Sequence, residues 1–356
     1  MESILFQPTQ IGRMKLANHI VMAPMTRSRA IGNVPNDIMV KYYSDRSSAG
    51  LIITEGTSPS ANGLGYARIP GLFNQEQVAG WKKITDAVHA KGSHIFIQLM
   101  HTGRVAHPAN MPQGTKILAP SAIALSGKMW TDSEGQQDHP VPHEMSDAEI
   151  KATIREYIHS AELAIQAGFD GVELHAANGY LIEQFLNPNV NKRTDQYGGS
   201  AENRMRFALE IAKGTIEKIG ADRLGIRVSP YGVFNDTGAF EGIEKFYIDF
   251  SQKLSALGLL YIHVVDHSAM GAPAVSPEIK RAIRENFKGK YILSGGYDAK
   301  RAEQDLLEKK GDLVAFGRPF ISNPHLVAKL RDGIPLTPPD LTTSYTPGEK
   351  GYNDYT

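Results

Sequence analysis

Residues 146–177 have the sequence SDAEIKATIREYIHSAELAIQAGFDGVELHAA, and this stretch contains one complete unit of the predicted fold. Ser146 and Glu149 have the spacing of a capping box, which starts a helix by satisfying its first free N–H groups. Apolar side chains then recur every three or four residues until Gly168, a residue that commonly ends a helix. The run 171–177 that follows is typical of a strand buried on both faces. The stretch therefore predicts a helix that leads directly into a buried strand.

The same alternation of helix and strand extends along the whole chain. Asn74 predicts the start of another helix, and the pairs Ser276-Pro277 and Asn323-Pro324 predict two more, because a polar N-cap followed by proline favours a helix start. Eight short segments rich in β-branched and aliphatic residues predict the strands. The predicted strands are Asn18–Thr26, Gly50–Gly56, Ser93–Met100, Gly171–Ala177, Leu224–Pro230, Tyr261–Asp266, Tyr291–Gly296 and Leu313–Pro319.

Eight strands that alternate with helices predict an α/β fold, a (β/α)8 TIM barrel that forms one domain over residues 1–356. A doubly wound open sheet is the alternative, but no G-x-G-x-x-G follows the first strand. Residues 102–145 lack helical periodicity and predict an insertion after the third strand that covers the active site. The proline-rich tail, residues 335–356, is expected to pack on the barrel.

The composition excludes several kinds of chemistry. The chain has 356 residues, 38 basic and 38 acidic side chains, and no cysteine. Without cysteine it forms no disulfide, thiolate metal site, iron–sulfur cluster or cysteine nucleophile. A net charge of zero argues against a general nucleic-acid binder. A signal peptide and an 18-residue apolar run are both absent from the sequence, so a cytoplasmic protein is expected.

The ends of the last two predicted strands indicate a phosphate site. In TIM barrels the active site lies at the carboxyl ends of the strands, and the loops after strands 7 and 8 often bind phosphate. Here these strands end in Gly295-Gly296 and Gly317-Arg318, where backbone N–H groups and a guanidinium can contact phosphate oxygens. An isolated Gly-Arg pair would be explained equally well as a turn with a surface cation.

Two polar residues on other strands indicate what the phosphate belongs to. Gln98 and Arg227 lie toward the carboxyl ends of the third and fifth strands, where an amide and a cation can bind a planar heterocycle. A cation beside such a ring favours its reduced, anionic form. An ion pair in the barrel interior is the alternative for Arg227. Flavin mononucleotide, FMN, fits both ends of the site.

A third group follows the fourth strand. His175 and Asn178 can each donate one hydrogen bond to the same carbonyl oxygen, and Tyr180 can supply a phenolic proton. Each residue taken alone is more often structural, but their joint occurrence favours catalysis. A metal site is disfavoured because H-E-x-x-H is absent from the sequence, and a serine hydrolase because G-x-S-x-G is absent.

Five segments together resemble the Old Yellow Enzyme family of FMN-dependent ene-reductases, and the resemblance extends in order from about Leu5 to Tyr352. It implies non-covalent FMN, reduced by NADPH or NADH. The reduced cofactor would then reduce the C=C bond of an α,β-unsaturated aldehyde, ketone, maleimide or nitro compound in a ping-pong cycle. The segments are Ala23–Arg27, Gln98–Arg104, His175–Leu181, Asn191–Ser200 and Gly317–Phe320.

The resemblance also implies residue roles. Thr26 would bind the flavin C4 carbonyl, Gln98 and Arg227 the pyrimidine half of the ring, and Pro24, Met25, Gly56, Gly296, Gly317 and Arg318 the rest of the flavin or its phosphate. His175 and Asn178 would bind the substrate carbonyl, and Tyr180 would donate the proton. Tyr66 would pack over the substrate, and Phe234 and Tyr345 would shape the pocket. Met100 replaces a tryptophan of many relatives, which is expected to alter substrate preference.

Two other functions are compatible with parts of this pattern. A cofactor-free barrel isomerase or aldolase could use Gly317-Arg318 to bind the phosphate of its own substrate. A non-catalytic flavin-binding module could bind the same cofactor without turning over a substrate. The expected partner of the enzyme is a small electron-poor alkene or nitro compound, with neither nucleic acid nor membrane involved.

Overall fold

A closed barrel of eight parallel strands lies at the centre of the structure, a computed structural model that describes residues 3–356. Each barrel strand pairs with the next along the chain, and the eighth pairs with the first. Every one of them overlaps a predicted strand, so the predicted (β/α)8 barrel is confirmed. Barrel strands 1 to 8 are Ile20–Met22, Leu51–Thr57, His94–Leu99, Gly171–Ala176, Leu224–Val228, Tyr261–Val265, Lys290–Ser294 and Leu313–Phe316.

Helices surround the barrel and start where their capping residues predict. Ser146 and Glu149 form the reciprocal hydrogen bonds of a capping box, and Asn74 and Ser276 cap their helices as expected. Within residues 3–356, no helix is long and apolar enough to cross a membrane. The α-helices are Asp37–Asp45, Gln75–His89, Asp147–Gln166, Leu181–Leu186, Ala201–Ile219, Ile243–Ala256, Pro277–Asn286, Ala299–Leu307, Arg318–Ser322 and Leu326–Arg331.

The predicted helix start at Asn323 is wrong. A helix already begins at Arg318, directly after Gly317, and the next one has His325 at its N-cap. The side chain of Asn323 is instead engaged with residue 337 at the start of the tail. Its Oδ1 accepts a hydrogen bond from the N–H of Thr337 at 2.9 Å, and its Nδ2 donates to the carbonyl oxygen of the same residue at 3.0 Å.

Apolar side chains fill the lower part of the barrel, which is the part toward the amino ends of the strands. Alternate strand residues such as Val21, Leu51, Phe96 and Ile292 point inward and form one buried cluster. A hairpin near the N-terminus, which the sequence analysis did not predict, adds apolar side chains to this cluster and covers it from below. The hairpin strands are Thr9–Ile11 and Met14–Leu16.

The insertion after barrel strand 3 contains regular structure that its sequence did not reveal. Lys128–Thr131 and Gly135–Asp138 form an antiparallel hairpin, and Leu118–Ala119 pairs in parallel with His143–Glu144. Met129 is buried, whereas Trp130 on the opposite side of its strand is about half exposed. One side of this strand, with Met129 and Thr131, is therefore buried against the rest of the molecule.

The C-terminal tail packs on the barrel, as predicted, and two buried arginines hold it there. The Arg27 guanidinium donates to the carbonyl oxygens of Gly351 (2.6 Å) and Ser344 (3.2 Å). Arg29 donates to Ser344 (2.6 Å), Thr343 (2.8 Å) and Lys350 (3.0 Å), again at carbonyl oxygens. Both arginines lie in the loop after barrel strand 1, so the tail packs against this loop beside the carboxyl end of the barrel.

Aromatic rings extend this contact between the tail and the body of the protein. Tyr352 stacks on Tyr42 with ring centroids 4.0 Å apart and an interplanar angle of 3°. The guanidinium of Arg46 lies 3.7 Å from the Tyr42 ring, and that of Arg29 lies 4.8 Å from the Tyr352 ring. Cation–π attraction in a buried setting therefore adds to the hydrogen bonds of the arginines.

Replacing Arg29 by leucine is expected to release the tail. The change removes the donors to four tail carbonyl groups, those of Thr343, Ser344, Gly348 and Lys350, and the loss of buried hydrogen bonds to a charged group lowers the free energy of unfolding by about 3 kcal/mol. Urea denaturation measures the loss, and limited proteolysis detects faster cleavage between residues 335 and 356. Arg13→Leu is the control, because its ion pair with Asp222 is about half exposed and contributes less than about 1 kcal/mol. Equal stability of the two variants would contradict the prediction.

Candidate active site

All of the site residues named from the sequence line one cavity at the carboxyl ends of the barrel strands. Its volume is about 1490 Å³, and its walls come from the strand ends, the insertion and the tail. The structure thus brings together residues that lie up to 321 positions apart, from Pro24 to Tyr345. The predicted residues in its lining are Pro24, Met25, Thr26, Gly56, Tyr66, Gln98, Met100, His175, Asn178, Tyr180, Arg227, Phe234, Gly295, Gly296, Gly317, Arg318 and Tyr345.

Buried polar side chains form the floor of the cavity, above the apolar interior of the barrel. Gln98 Nε2 donates to Glu173 Oε1 at 2.8 Å, and Glu173 Oε2 is hydrogen-bonded to His263 Nδ1 at 2.9 Å. The sequence analysis missed Glu173 and His263, although a carboxylate within an otherwise apolar strand is a recognisable signal.

Arg227 brings a positive charge to the same floor. The residue is 7% exposed, and its Nε makes no hydrogen bond with any residue in the range 3–356. Burial lowers the pKa of Arg227, while the nearby Glu173 and Tyr180 act in the opposite direction. A guanidinium nevertheless stays protonated in proteins, so the cavity floor carries a fixed cation with a free donor.

A tight turn after barrel strand 4 brings His175, Asn178 and Tyr180 together. Asn178 and Gly179 both have positive φ angles, 61° and 75°, and a Cβ atom on Gly179 would lie 2.6 Å from the carbonyl oxygen of Phe234. The rings of His175 and Tyr180 meet edge to face, with centroids 4.9 Å apart. The turn therefore aims three polar groups into one part of the cavity.

His175 is neutral in this setting. Burial lowers its pKa well below the ordinary value, and the charge of Arg227 acts in the same direction. His175 Nδ1 and Asn178 Oδ1 are buried, and neither has a hydrogen-bond partner in the described part of the chain. Buried polar groups of this kind normally have partners, so these two indicate a bound molecule.

Tyr180 is a protonated phenol at neutral pH. Burial raises its pKa to about 12. Its hydroxyl group lies 3.1 Å from that of Tyr66, and the two rings meet edge to face. The buried side chains of Met100, Leu64 and Ile69 pack against this tyrosine pair from below. Tyr180 can therefore donate a proton, and Tyr66 can orient its hydroxyl group.

The buried carboxyl group of Glu183 stabilises this turn through hydrogen bonds. Glu183 Oε2 accepts a hydrogen bond from the N–H of Gly179 at 2.6 Å, and Ser229 Oγ is hydrogen-bonded to the same carboxyl group at 3.1 Å. Ser229 Oγ also accepts a hydrogen bond from the N–H of Asn178 at 3.0 Å. Burial raises the pKa of Glu183 to about 8, so this group is largely protonated at neutral pH.

The opposite end of the cavity has the features of a phosphate site. Gly296 has a φ of 62°, and a Cβ atom there would lie 2.5 Å from that of Ala269, so a larger residue does not fit. A Cβ atom on Gly317 would lie 3.6 Å from the sulfur atom of Met25, an ordinary van der Waals contact. The Arg318 side chain is exposed and makes no hydrogen bond or ion pair with any residue in 3–356. Backbone N–H groups and a free guanidinium are thus available for an anion.

One wall lies between these two ends and comes from barrel strands 1 to 3. The hydroxyl group of Thr26 makes no hydrogen bond with the described residues, so it is free to contact a bound ring. A Cβ atom on Gly56 would lie 2.5 Å from the sulfur atom of Met100, so Met100 fills the space beside this glycine. Together the polar floor, the free hydroxyl and the phosphate site fit FMN.

Three further residues of the cavity wall were not predicted individually from the sequence. Met129 and Trp130 from the hairpin of the insertion line the cavity, so the predicted cover is confirmed. His267 also lines the cavity and packs edge to face on Phe234, with ring centroids 4.6 Å apart. Burial lowers the pKa of His267 to about 4, so it is neutral. No spacing rule pointed to these residues, because the insertion and the loop after barrel strand 6 bring them to the cavity.

Comparisons with known proteins agree with this site. The chain matches the NADH:flavin oxidoreductase / NADH oxidase family over residues 4–337. It is 44% identical to a chanoclavine-I aldehyde reductase of Penicillium roqueforti, covering 99% of this chain and 95% of that protein. It is 41% identical to a probable flavin mononucleotide-dependent alkene reductase of Leishmania infantum, covering 99% and 97%. The solved structure of an Old Yellow Enzyme homologue from Zymomonas mobilis superimposes with a TM-score of 0.95 at 37% identity, covering 99% of both chains.

The barrel, the polar floor and the phosphate site define a flavin-dependent oxidoreductase. The chain belongs to the NADH:flavin oxidoreductase / NADH oxidase family, and the resemblance to Old Yellow Enzyme is confirmed. Its cofactor is FMN and its reductant is NAD(P)H.

Replacing Glu183 by glutamine is expected to change how stability depends on pH. The folded-state pKa of about 8 lies above the ordinary 4.5, so between these values the folded protein keeps a proton that the unfolded chain has released. The free energy of unfolding of the parent therefore falls as the pH rises through this range, and E183Q removes that contribution. Urea denaturation at several pH values measures both curves.

Glu149→Gln is the control, because Glu149 is expected to change the pH dependence of the free energy of unfolding in the opposite direction. Hydrogen bonds to Glu149, the largest from the N–H of Ser146, lower its pKa to about 2. That carboxylate therefore stabilises the protein above pH 4.5, and the contribution is lost as the pH falls toward 2. Parallel pH curves for E183Q and the parent would show that Glu183 titrates normally and would refute the prediction.

Proposed function

We propose that this protein is an ene-reductase that uses NAD(P)H to reduce electron-poor C=C bonds at a single site. One observation carries the proposal: neutral His175, Asn178 and protonated Tyr180 converge on the cavity whose floor holds Gln98 and Arg227. Two donors for one carbonyl oxygen and one proton source are what a conjugate reduction requires of a protein.

The residues that would hold FMN lie along the length of the cavity. Gln98, Arg227 and Thr26 would contact the edge of the ring, and Pro24, Met25 and Gly56 would pack beside it. The phosphate group would be bound by the backbone of 295, 296 and 317 and by the Arg318 guanidinium. When bound, FMN would supply the redox chemistry, which is the transfer of a hydride equivalent from NAD(P)H to the alkene.

The protein groups activate the substrate. His175 and Asn178 donate hydrogen bonds to the carbonyl or nitro oxygen, which withdraws electron density from the C=C bond and makes its β-carbon electrophilic. Because burial keeps His175 neutral, its donor strength does not change with pH across the neutral range. Tyr180 then donates its phenolic proton to the α-carbon, and Tyr66 keeps the hydroxyl group in place.

The proposed substrates are α,β-unsaturated aldehydes, ketones, maleimides and nitro compounds. Two relatives carry names that support this class, since one is an aldehyde reductase and the other an alkene reductase. Tyr66, Met100, Phe234 and Tyr345 would shape the substrate pocket, with Trp130 above it. A cytoplasmic location stays a prediction of the sequence.

A direct test uses the purified protein under anaerobic conditions. NADPH is expected to bleach the yellow colour of bound FMN, and 2-cyclohexen-1-one is expected to restore it with formation of cyclohexanone. A protein that binds FMN but is not reoxidised by the enone would refute the proposed function. A colourless protein that releases no flavin on denaturation would refute the cofactor assignment as well.

Tyr180→Phe is expected to slow reoxidation of the reduced enzyme by the enone at least 10²-fold, the effect typical of losing a general acid. Reduction by NADPH should stay within a few-fold, because that half-reaction needs no proton from the protein. Stopped-flow absorbance measures both half-reactions. Tyr66→Phe is the matched control, since it keeps the proton donor and removes only its hydroxyl partner. Equal reoxidation rates for Y180F and the parent would show that another group donates the proton.

A further inference from the structure

A single buried carboxylate connects three strands beneath the cavity floor. Glu173 on barrel strand 4 is fully buried, and both of its oxygens are engaged. Oε1 accepts a hydrogen bond from Gln98 Nε2 on strand 3 at 2.8 Å, and Oε2 lies 2.9 Å from His263 Nδ1 on strand 6. None of the roles assigned above uses this residue.

The strand register explains how one side chain reaches so far. Glu173 lies opposite Gln98 on strand 3 and opposite Gly225 on strand 5. Because Gly225 has no side chain, Glu173 can cross strand 5 and meet His263 on strand 6. The remaining space is filled, since a Cβ atom on Gly225 would lie 2.2 Å from the ring of Tyr261. The contact between Glu173 and His263 therefore requires a glycine at position 225.

The chemistry of a carboxylate fixes the orientation of both partners. A carboxylate only accepts hydrogen bonds, so Gln98 must turn its NH₂ group toward Glu173, which leaves its carbonyl oxygen for the cavity. For the same reason His263 carries its proton on Nδ1. Among the groups around Arg227, whose side chain lines the cavity, Glu173 acts most strongly to raise its pKa.

We propose that Glu173 is a positioning residue for the cofactor: it presents Gln98 as a hydrogen-bond acceptor to the FMN ring and partly offsets the charge of Arg227, which sets the reduction potential of the flavin. The proposal rests on the assignment of Gln98 and Arg227 to the ring. Reduction adds negative charge to the ring, so a carboxylate nearby disfavours the reduced form. Glu173 therefore holds the potential below the value that Arg227 alone would give.

The test compares the FMN-loaded parent with Glu173→Gln. The midpoint potential of the bound flavin is measured by anaerobic equilibration with a reference dye, and the dissociation constant by flavin fluorescence. E173Q is expected to shift the potential to a more positive value and to weaken FMN binding, because glutamine removes the charge and no longer dictates the orientation of Gln98. An unchanged potential together with unchanged affinity would overturn the proposal.

Glu183→Gln is the control for the isosteric change alone, since Glu183 is another buried carboxyl group but is largely protonated at neutral pH, so that its replacement removes no charge. Its flavin potential should equal that of the parent. An equal shift in both variants would mean that loss of any buried carboxyl group has this effect, and it would overturn the specific role of Glu173.

A second variant keeps the test decisive if E173Q folds but loses FMN. Glu173→Asp retains the charge, so it is expected to bind FMN with a potential closer to that of the parent. Loss of FMN from both folded variants would assign Glu173 to packing alone and would overturn the proposal. These measurements need no alkene, so their results can be interpreted even if the proposed ene-reductase activity is not found.

Discussion

A closed barrel admits only alternate residues of each strand to its interior, and the arrangement of the molecule follows from this constraint. In the lower part those residues are apolar, with Leu51 and Phe96 among them, and they form a buried support under the cavity. One layer nearer the carboxyl ends of the strands they are Gln98, His175 and Arg227, and all three line the cavity. The floor of the cavity therefore lies directly on a closely packed apolar layer.

The second constraint is the burial of positive charge beside the first barrel strand. Arg27, Arg29 and Arg46 are almost completely buried, yet the described residues place only one buried carboxylate, Glu55, near them. Backbone carbonyl oxygens of the tail accept most of the hydrogen bonds from Arg27 and Arg29, and those of Tyr42, Phe320 and Ile321 accept the hydrogen bonds from Arg46. Since a buried cation without acceptors is very costly, the tail has a fixed position, and Tyr345 reaches the rim of the cavity as a result.

The predictable parts of the molecule are those whose signals are local. Ser146 caps its helix whatever lies elsewhere, and barrel geometry turns a residue such as His175 at a strand end into a residue at the cavity. Short hairpins such as Lys128–Asp138, with three or four residues per strand, are stabilised by packing on the surface beneath them. The sequence therefore contained no local signal that predicted them. Asn323 shows the reverse case, since a valid local signal was overridden by hydrogen bonds to Thr337 across the fold.

The position of the tail has a consequence for biosynthesis. The segment from Thr26 to Arg29 is translated before the carbonyl groups that accept hydrogen bonds from its arginines, which belong to residues 343–351. The eighth barrel strand, which closes the barrel against the first, is also translated after the other seven. Until residue 351 has left the ribosome, the cavity therefore lacks part of its wall, and until the eighth strand has emerged the barrel cannot close.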